Sequence, residues 1–273
     1  MITIQEAINN FKELIDNSII EKGQEGKESM IRSSEPIMNI HDAVKSSLIS
    51  SGVSAELIYP PLFERRPELK LAGSLKKKDQ DICVVPNDRE MVSEILSRGL
   101  LENTIDEFGE DYTRETLVVN VRSQISSIQK NFDTLYERTI SEAQNLHDRC
   151  NEMVLGEVYL LAVPEYNDAA FKNYECEFKR VNTKLVEKYI KSFQAITGRT
   201  DASDYLYQYE ATCLLIVDFS RPIPKIYNTT QELIDDGLLL PTSTVVYEGL
   251  DWNSFTPKLL DIYNTRFGAG KLI

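Results

Sequence analysis

Between Leu117 and Leu146 the spacing of apolar residues changes period once, and that change limits the folds open to the chain. TLVVNVRSQ is a β-branched run that alternates about every two residues, whereas ISSIQKNFDTLYERTISEAQNLH repeats about every 3.6. A strand leading directly into a long amphipathic helix is therefore expected. Upstream, LKLAGSLKKKDQDICVVP supplies two further extended runs, Leu69–Leu75 and Gln80–Val85, joined by a lysine-rich turn and expected to pair as a hairpin. Downstream, Gly156 marks a break, EVYLLAVPEYN reads as a fourth strand, Phe178–Ile196 as a basic helix and EATCLLIVDFSRP as a fifth strand. Strands that give way to crossover helices imply an α/β (α+β) fold, with a mixed central sheet flanked by helices.

The flanking segments extend this frame. Ile4, Ile8, Phe11, Leu14, Ile15 and Ile19 predict a helix over Thr3–Lys22 with Thr3 as its cap; GQEGKES reads as a loop and Ile40–Ser50 as a second helix ended near Gly52. The prolines of IYPPLFERRPEL keep that stretch extended. Met91, Ile95 and Leu96 give Asp88–Leu101 a helical period, ENTIDEFGEDYTRE reads as an exposed acidic loop, and Thr230–Gly237 as a short turn or helix. The tail, Tyr247–Ile273, carries Leu250, Trp252, Phe255, Leu259, Leu260 and Ile262, apolar enough to cover a sheet edge or a subunit contact. A chain of 273 residues can bury one large core, so a single domain is expected, with an amino-terminal helical part (1–60), a core (61–220) and a carboxy-terminal extension (221–273). No apolar run reaches bilayer length and the amino terminus lacks a basic flank before an apolar stretch, so a cytoplasmic protein without membrane attachment is expected.

The net charge of −13 argues against a nucleic-acid partner for the surface as a whole. Its distribution is uneven. Arg65, Arg66, Lys70, Lys76, Lys77 and Lys78 fall within fourteen residues, and Lys179, Arg180, Lys184, Lys188 and Lys191 within thirteen. Either patch reads as solvated charge on a turn or helix face; together on an acidic body they suit a protein that takes DNA into one cleft. Cys83, Cys150, Cys176 and Cys213 are too scattered for a disulfide framework or a CxxC zinc site and read as reduced, non-nucleophilic thiols. FGAGKL lacks the spacing and the hydroxyl residue of a P-loop, and no GxGxxG follows a strand. His41 and His147 are the only histidines, both read as structural, which leaves little from which to build a Ser/His/Asp triad.

What remains is carboxylates and a hard cation. Asp81 opens an apolar strand, where an acid either solvates the strand end or points into a cleft, and Asp79 would share its side. Either acid could hold Mg²⁺, which takes oxygen ligands. On the third strand Asn120, Arg122 and Gln124 occupy one face, an unusual polar row in an apolar run. On the helix, Ile128, Phe132, Leu135, Thr139, Ala143 and Leu146 form the apolar stripe at about 100° per residue, with Glu142 at its border and Asn131, Arg138 and Asn145 along the same flank. Glu142 thus either looks toward the sheet or pairs with Arg138; Glu137 and Lys130 point to solvent.

GSLKKKDQDICVV followed by VVNVRSQISSIQKNFDTLYERTISEAQNL resembles type II restriction endonucleases, and the element order resembles the αβββαβ core of the PD-(D/E)xK nuclease superfamily, over residues 69–167. The resemblance implies Mg²⁺-dependent hydrolysis of double-stranded DNA. Asp81 matches the superfamily's metal-binding acid, but Asn120 and Arg122 stand where an acid and a lysine are expected. By the same resemblance Glu142 would supply the relocated acid, and Arg122 or Gln124 would replace the lysine. Lys76, Lys77, Lys78, Arg65, Arg66 and Arg138 become candidate DNA contacts. A homodimer and a companion DNA methyltransferase acting on the same site are the implied partners. Two other readings stand beside this one: a non-catalytic member of the fold whose metal site has decayed, and an acidic interaction protein unrelated to nucleases.

Overall fold

The amino-terminal periodicity produces more helix than expected. In a computed structural model covering residues 1–273, α1 runs Ile4–Ser33 and α2 runs Glu35–Ser50. Thr3 and Glu6 close a capping box. GQEGKES is helical rather than a loop, because Gly23, at φ 58° and ψ −133°, breaks α1 without ending it. The proline-rich segment then delivers the chain to β1 (Ile58–Tyr59).

The expected hairpin is shifted. Lys70–Ala72 (β2) pairs with Lys77–Asp79 (β3) outside the main sheet, while Ile82–Val84 (β4) lies between β1 and a later strand. Burial explains the separation: Ile82, Cys83 and Val84 are wholly buried and need neighbours on every side, which the lysines of β3 cannot provide. Asp88–Leu101 forms no helix. Met91 and Ile95 are exposed, and Glu94–Ile95 (β5) pairs instead with Ile105–Asp106 (β6). Nor is the acidic stretch an exposed loop: it forms β6 and α3 (Glu110–Glu115) and buries Asp106 and Glu115. Each of these acids has a cation, Arg149 at 2.6 Å from Asp106 and Arg89 at 2.6 Å from Glu115, which makes burial tolerable.

The period change appears where expected, as β7 (Leu117–Gln124) followed by α4 (Ile128–His147) and β8 (Val154–Ala162). Glu165–Tyr166 (β9) and Phe178–Lys179 (β10) form a ribbon, so the basic helix α5 is shorter than expected, Thr183–Ala195, with Asn182 as its cap. Then follow β11 (Ala211–Asp218), β12 (Lys225–Ile226), α6 (Thr230–Asp235) and α7 (Trp252–Phe267).

The six-stranded sheet has the order β1-β4-β7-β8-β11-β12. Its centre, β7-β8-β11, is parallel and its outer pairs are antiparallel, giving a mixed sheet. Val119, Val121, Val158 and Leu215 face a core shared with α1, α2 and α7; Val118, Tyr159, Leu161 and Ile216 face another shared with α4 and α5. The carboxy-terminal segment therefore covers a sheet face rather than an edge. At Gly156 a Cβ would come within 2.8 Å of Phe255, so glycine is what lets α7 lie this close to β8. No helix is long and apolar enough to cross a membrane.

Candidate functional site

The α4 side of the sheet carries a row of polar residues at one level. Asn120 of β7 is the register partner of Glu157 of β8, and Glu157 is the partner of Thr212 of β11. Because Ile82 pairs with Val119, Asp81 arrives one step further on, and its Oδ2 accepts from Val121 N at 2.9 Å. Arg122, two residues beyond Asn120 on the same face, donates from Nε to Glu157 Oε1 at 2.7 Å and from Nη2 to Glu142 Oε2. Lys78 Nζ donates to the other oxygen of Glu142 at 2.6 Å. Four residues thus form an unbroken chain, Lys78–Glu142–Arg122–Glu157, spanning a hairpin, a helix and two strands.

Asn145, one turn after Glu142, explains how Lys78 gets there. Its Oδ1 accepts from Leu75 N at 2.8 Å and Lys76 N at 3.1 Å, its Nδ2 donates to Lys76 O at 3.2 Å, and its carbonyl accepts from Ser74 N at 2.9 Å. A Cβ on Gly73 would come within 2.3 Å of the Asn145 amide. The β2–β3 turn is in this way clamped to α4, with Lys78 beside Glu142.

Electrostatics divides the carboxylates. Burial acts to raise Glu142, but Arg122 and then Lys78 outweigh it and hold the group below its ordinary value. Glu157 is fully buried, and that burial, with the charges of Glu142 and Asp81 adding to it, pushes the group up to about 7 despite Arg122. Burial opposes the charge on Arg122, yet Glu157 and Glu142 hold it more firmly protonated than usual. Three buried oxygens in the row, Asn120 Oδ1, Glu157 Oε2 and Thr212 Oγ1, have no hydrogen-bond partner.

Of the residues singled out in the sequence, Asp81, Arg122, Glu142 and Lys78 come together. Gln124 does not join them: its Oε1 accepts from Tyr159 and Tyr189 Oη, each at 2.6 Å, and its Nε2 donates to Ile128 O at 3.1 Å, so the side chain is spent on packing. Asp79 is exposed on β3 and shares none of the cluster's contacts. Glu142 pairs with Arg122 and Lys78 rather than with Arg138, which is exposed along with Arg65, Arg66 and Lys76. Arg66 pairs with Glu68 at 2.5 Å, and Lys77 Nζ donates to Ile105 O. On the basic helix, Lys188 reaches Asp133 at 3.4 Å and lies over the Phe132 ring, while Lys191 pairs with Glu187 at 2.5 Å. His147 is wholly buried between Leu206 O and Met153 O, a packing role. Glu157 was missed, although a lone acid inside VLGEVYLLAV was its signal.

No three of the chain's carboxylate, imidazole and thiol groups gather closely enough to hold a metal ion by themselves. The donors that do share the row are hard oxygens, two from carboxylates, one from an amide and one from a hydroxyl. Compared with protein-family models, curated proteins and solved structures, the chain matches none.

Proposed function

We propose that the chain is a Mg²⁺-dependent endonuclease of the type II restriction class, hydrolysing phosphodiester bonds of double-stranded DNA. One observation carries the reading: Asp81, Arg122 and Glu142, distant in sequence, converge with Lys78 on one face of the sheet, where β4 runs antiparallel to β7 and β7 connects through α4 to a parallel β8. That succession is the one the resemblance implies for a nuclease core.

The donor chemistry suits the cofactor, since Mg²⁺ is held by one or two carboxylates and completes its shell with water and substrate phosphate. Asp81 would hold it, with Glu142 as the second acid of this reading. When bound, Mg²⁺ polarises the scissile phosphate and acidifies a water. Arg122, kept protonated by its two glutamates, is placed to offset charge developing on the phosphate, and Lys78 adds a second cation beside it. Lys76, Lys77, Arg65 and Arg66 would hold flanking phosphates without reading sequence. Cutting both strands calls for two copies of the chain, and a methyltransferase would protect the host's own sites.

The test is incubation of the purified protein with unmethylated plasmid in Mg²⁺ or EDTA, beside Asp81→Ala. Discrete Mg²⁺-dependent fragments are expected, with Asp81→Ala slower by more than the roughly hundredfold that outer-shell changes bring. The non-catalytic reading has its own support, because both oxygens of Glu142 are already committed to Lys78 and Arg122. DNA binding without cleavage would favour it.

A further inference from the structure

The unpartnered oxygens are not scattered. Asn120, Glu157 and Thr212 are consecutive register partners across β7, β8 and β11, on one face, each at most 1% exposed. Each contributes one buried oxygen without a partner, and two of the three, the amide Oδ1 and the carboxylate Oε2, can only accept while Glu157 is ionised. Acceptors set side by side in a dry interior are costly unless something positive lies among them. Arg122 does not meet that need: its Nε is spent on Glu157 Oε1 and its Nη2 on Glu142, leaving Oε2 unserved.

We infer that Asn120 Oδ1 and Glu157 Oε2, with Asp81 at the neighbouring strand and Thr212 on the far side, form the seat of one hard divalent cation. Charge supports this. With Glu157 ionised, Asp81, Glu142 and Glu157 set three negative charges against two positive ones on Arg122 and Lys78. A divalent ion would offset that surplus of one negative charge. The donor set is all oxygen, which selects Mg²⁺ or Mn²⁺ over softer metals. It also gives Glu142 a different task, as the carboxylate that aligns Arg122 with Lys78 rather than as a ligand. The inference refines the metal site of the nuclease reading, yet it is tested without DNA.

Mn²⁺ is titrated into the full-length protein and the free ion followed by electron paramagnetic resonance, for the wild type, Glu157→Gln, Asn120→Leu and Asp79→Asn. One tight site is expected in the wild type. Glu157→Gln and Asn120→Leu should each weaken it more than about a hundredfold, beyond what outer-shell changes alone typically bring, and Asp79→Asn should leave it unchanged. Circular dichroism reports folding, and Thr212→Val is a second variant of the same row, expected to weaken Mn²⁺ by a smaller factor. No tight site in the wild type, or unchanged Mn²⁺ affinity in folded Glu157→Gln, overturns the inference: the row is then satisfied by water or a proton. Tight Mn²⁺ binding through Glu157 with no DNA cleavage would keep this site and sink the nuclease reading. Mg²⁺-dependent cleavage by Glu157→Gln at the wild-type rate would do the reverse.

Discussion

Two glutamates, Glu157 within β8 and Glu210 just before β11, are both wholly buried, and their surroundings treat them in opposite ways. Glu210 Oε1 accepts from Arg199 Nη1 at 2.8 Å and Arg266 Nη1 at 2.9 Å, and its Oε2 accepts from Leu155 N at 2.7 Å with His147 Nε2 at 3.4 Å. Burial acts to raise this carboxyl, but His147, Arg266 and the Leu155 amide hold it below its ordinary value. Glu157 has one donor, Arg122 at 2.7 Å, and a bare second oxygen, and burial pushes it up to about 7. Depth is the same in both, so the supply of donors, together with the neighbouring charges of Glu142 and Asp81 beside Glu157, decides the difference. A carboxylate with both oxygens served is a structural bolt; one with an oxygen left over is available for a ligand.

The largest expected effect is at the bolt. Glu210→Gln should destabilise the protein by about 3–5 kcal/mol at pH 7, because Arg199 is left buried without its charge partner. Urea unfolding measures this. Glu210 has a lowered folded value, so the stability it contributes is present above the ordinary value of 4.5 and is lost as pH falls through the folded value. The gap between wild type and variant should close in acid.

At Glu157 the same substitution should have the opposite sign. With a folded value of about 7 against an ordinary 4.5, its favourable contribution is complete below pH 4.5 and is lost as pH rises through 7. Glu157→Gln keeps an acceptor for Arg122 and never ionises. In EDTA at pH 8 it should therefore be more stable than wild type, by on the order of 3 kcal/mol, with the two converging near pH 4. A loss of stability at pH 8 comparable to that of Glu210→Gln would mean that Glu157 is a second bolt, and the contrast would fail.

How much of this was legible depends on how far each feature reaches along the chain. Leu117–Gln124 and Ile128–His147 were readable because their periodicities are local and long. The pairing of β4 was not, since its neighbours follow from the total burial of Ile82, Cys83 and Val84, which no short window displays. Asp88–Leu101 failed for the converse reason: its apolar spacing is helical, but Met91 and Ile95 find nothing to pack against. In the site, Asp81, Arg122 and Glu142 stood out as charges in or beside apolar patterns. Glu157 stood out equally, but its meaning depends on register with Asn120 and Thr212, which only the assembled sheet provides. Gln124 looks functional in the sequence because it completes the polar row of β7, whereas Tyr189, which pins it, comes from a helix 65 residues away.

Two amides show the same contrast at a smaller scale. Gln124 and Asn120 share one face of β7, and both are buried, yet Gln124 is bonded to two tyrosine hydroxyls and a carbonyl while Asn120 Oδ1 has no partner. Removing a buried group that serves others strands its partners: Gln124→Ala leaves the Tyr159 hydroxyl, which has no other acceptor, unsatisfied and should cost about 2 kcal/mol. Asn120→Ala, measured in EDTA, takes away an acceptor that receives nothing and an amide donor to the Tyr209 hydroxyl, so its cost should stay near about 1 kcal/mol. If Asn120→Ala proved the more damaging of the two without metal, its carbonyl would be part of the scaffold after all. The row across β7, β8 and β11 would then be a packing feature, and the difference between Glu157 and Glu210 would be one of degree.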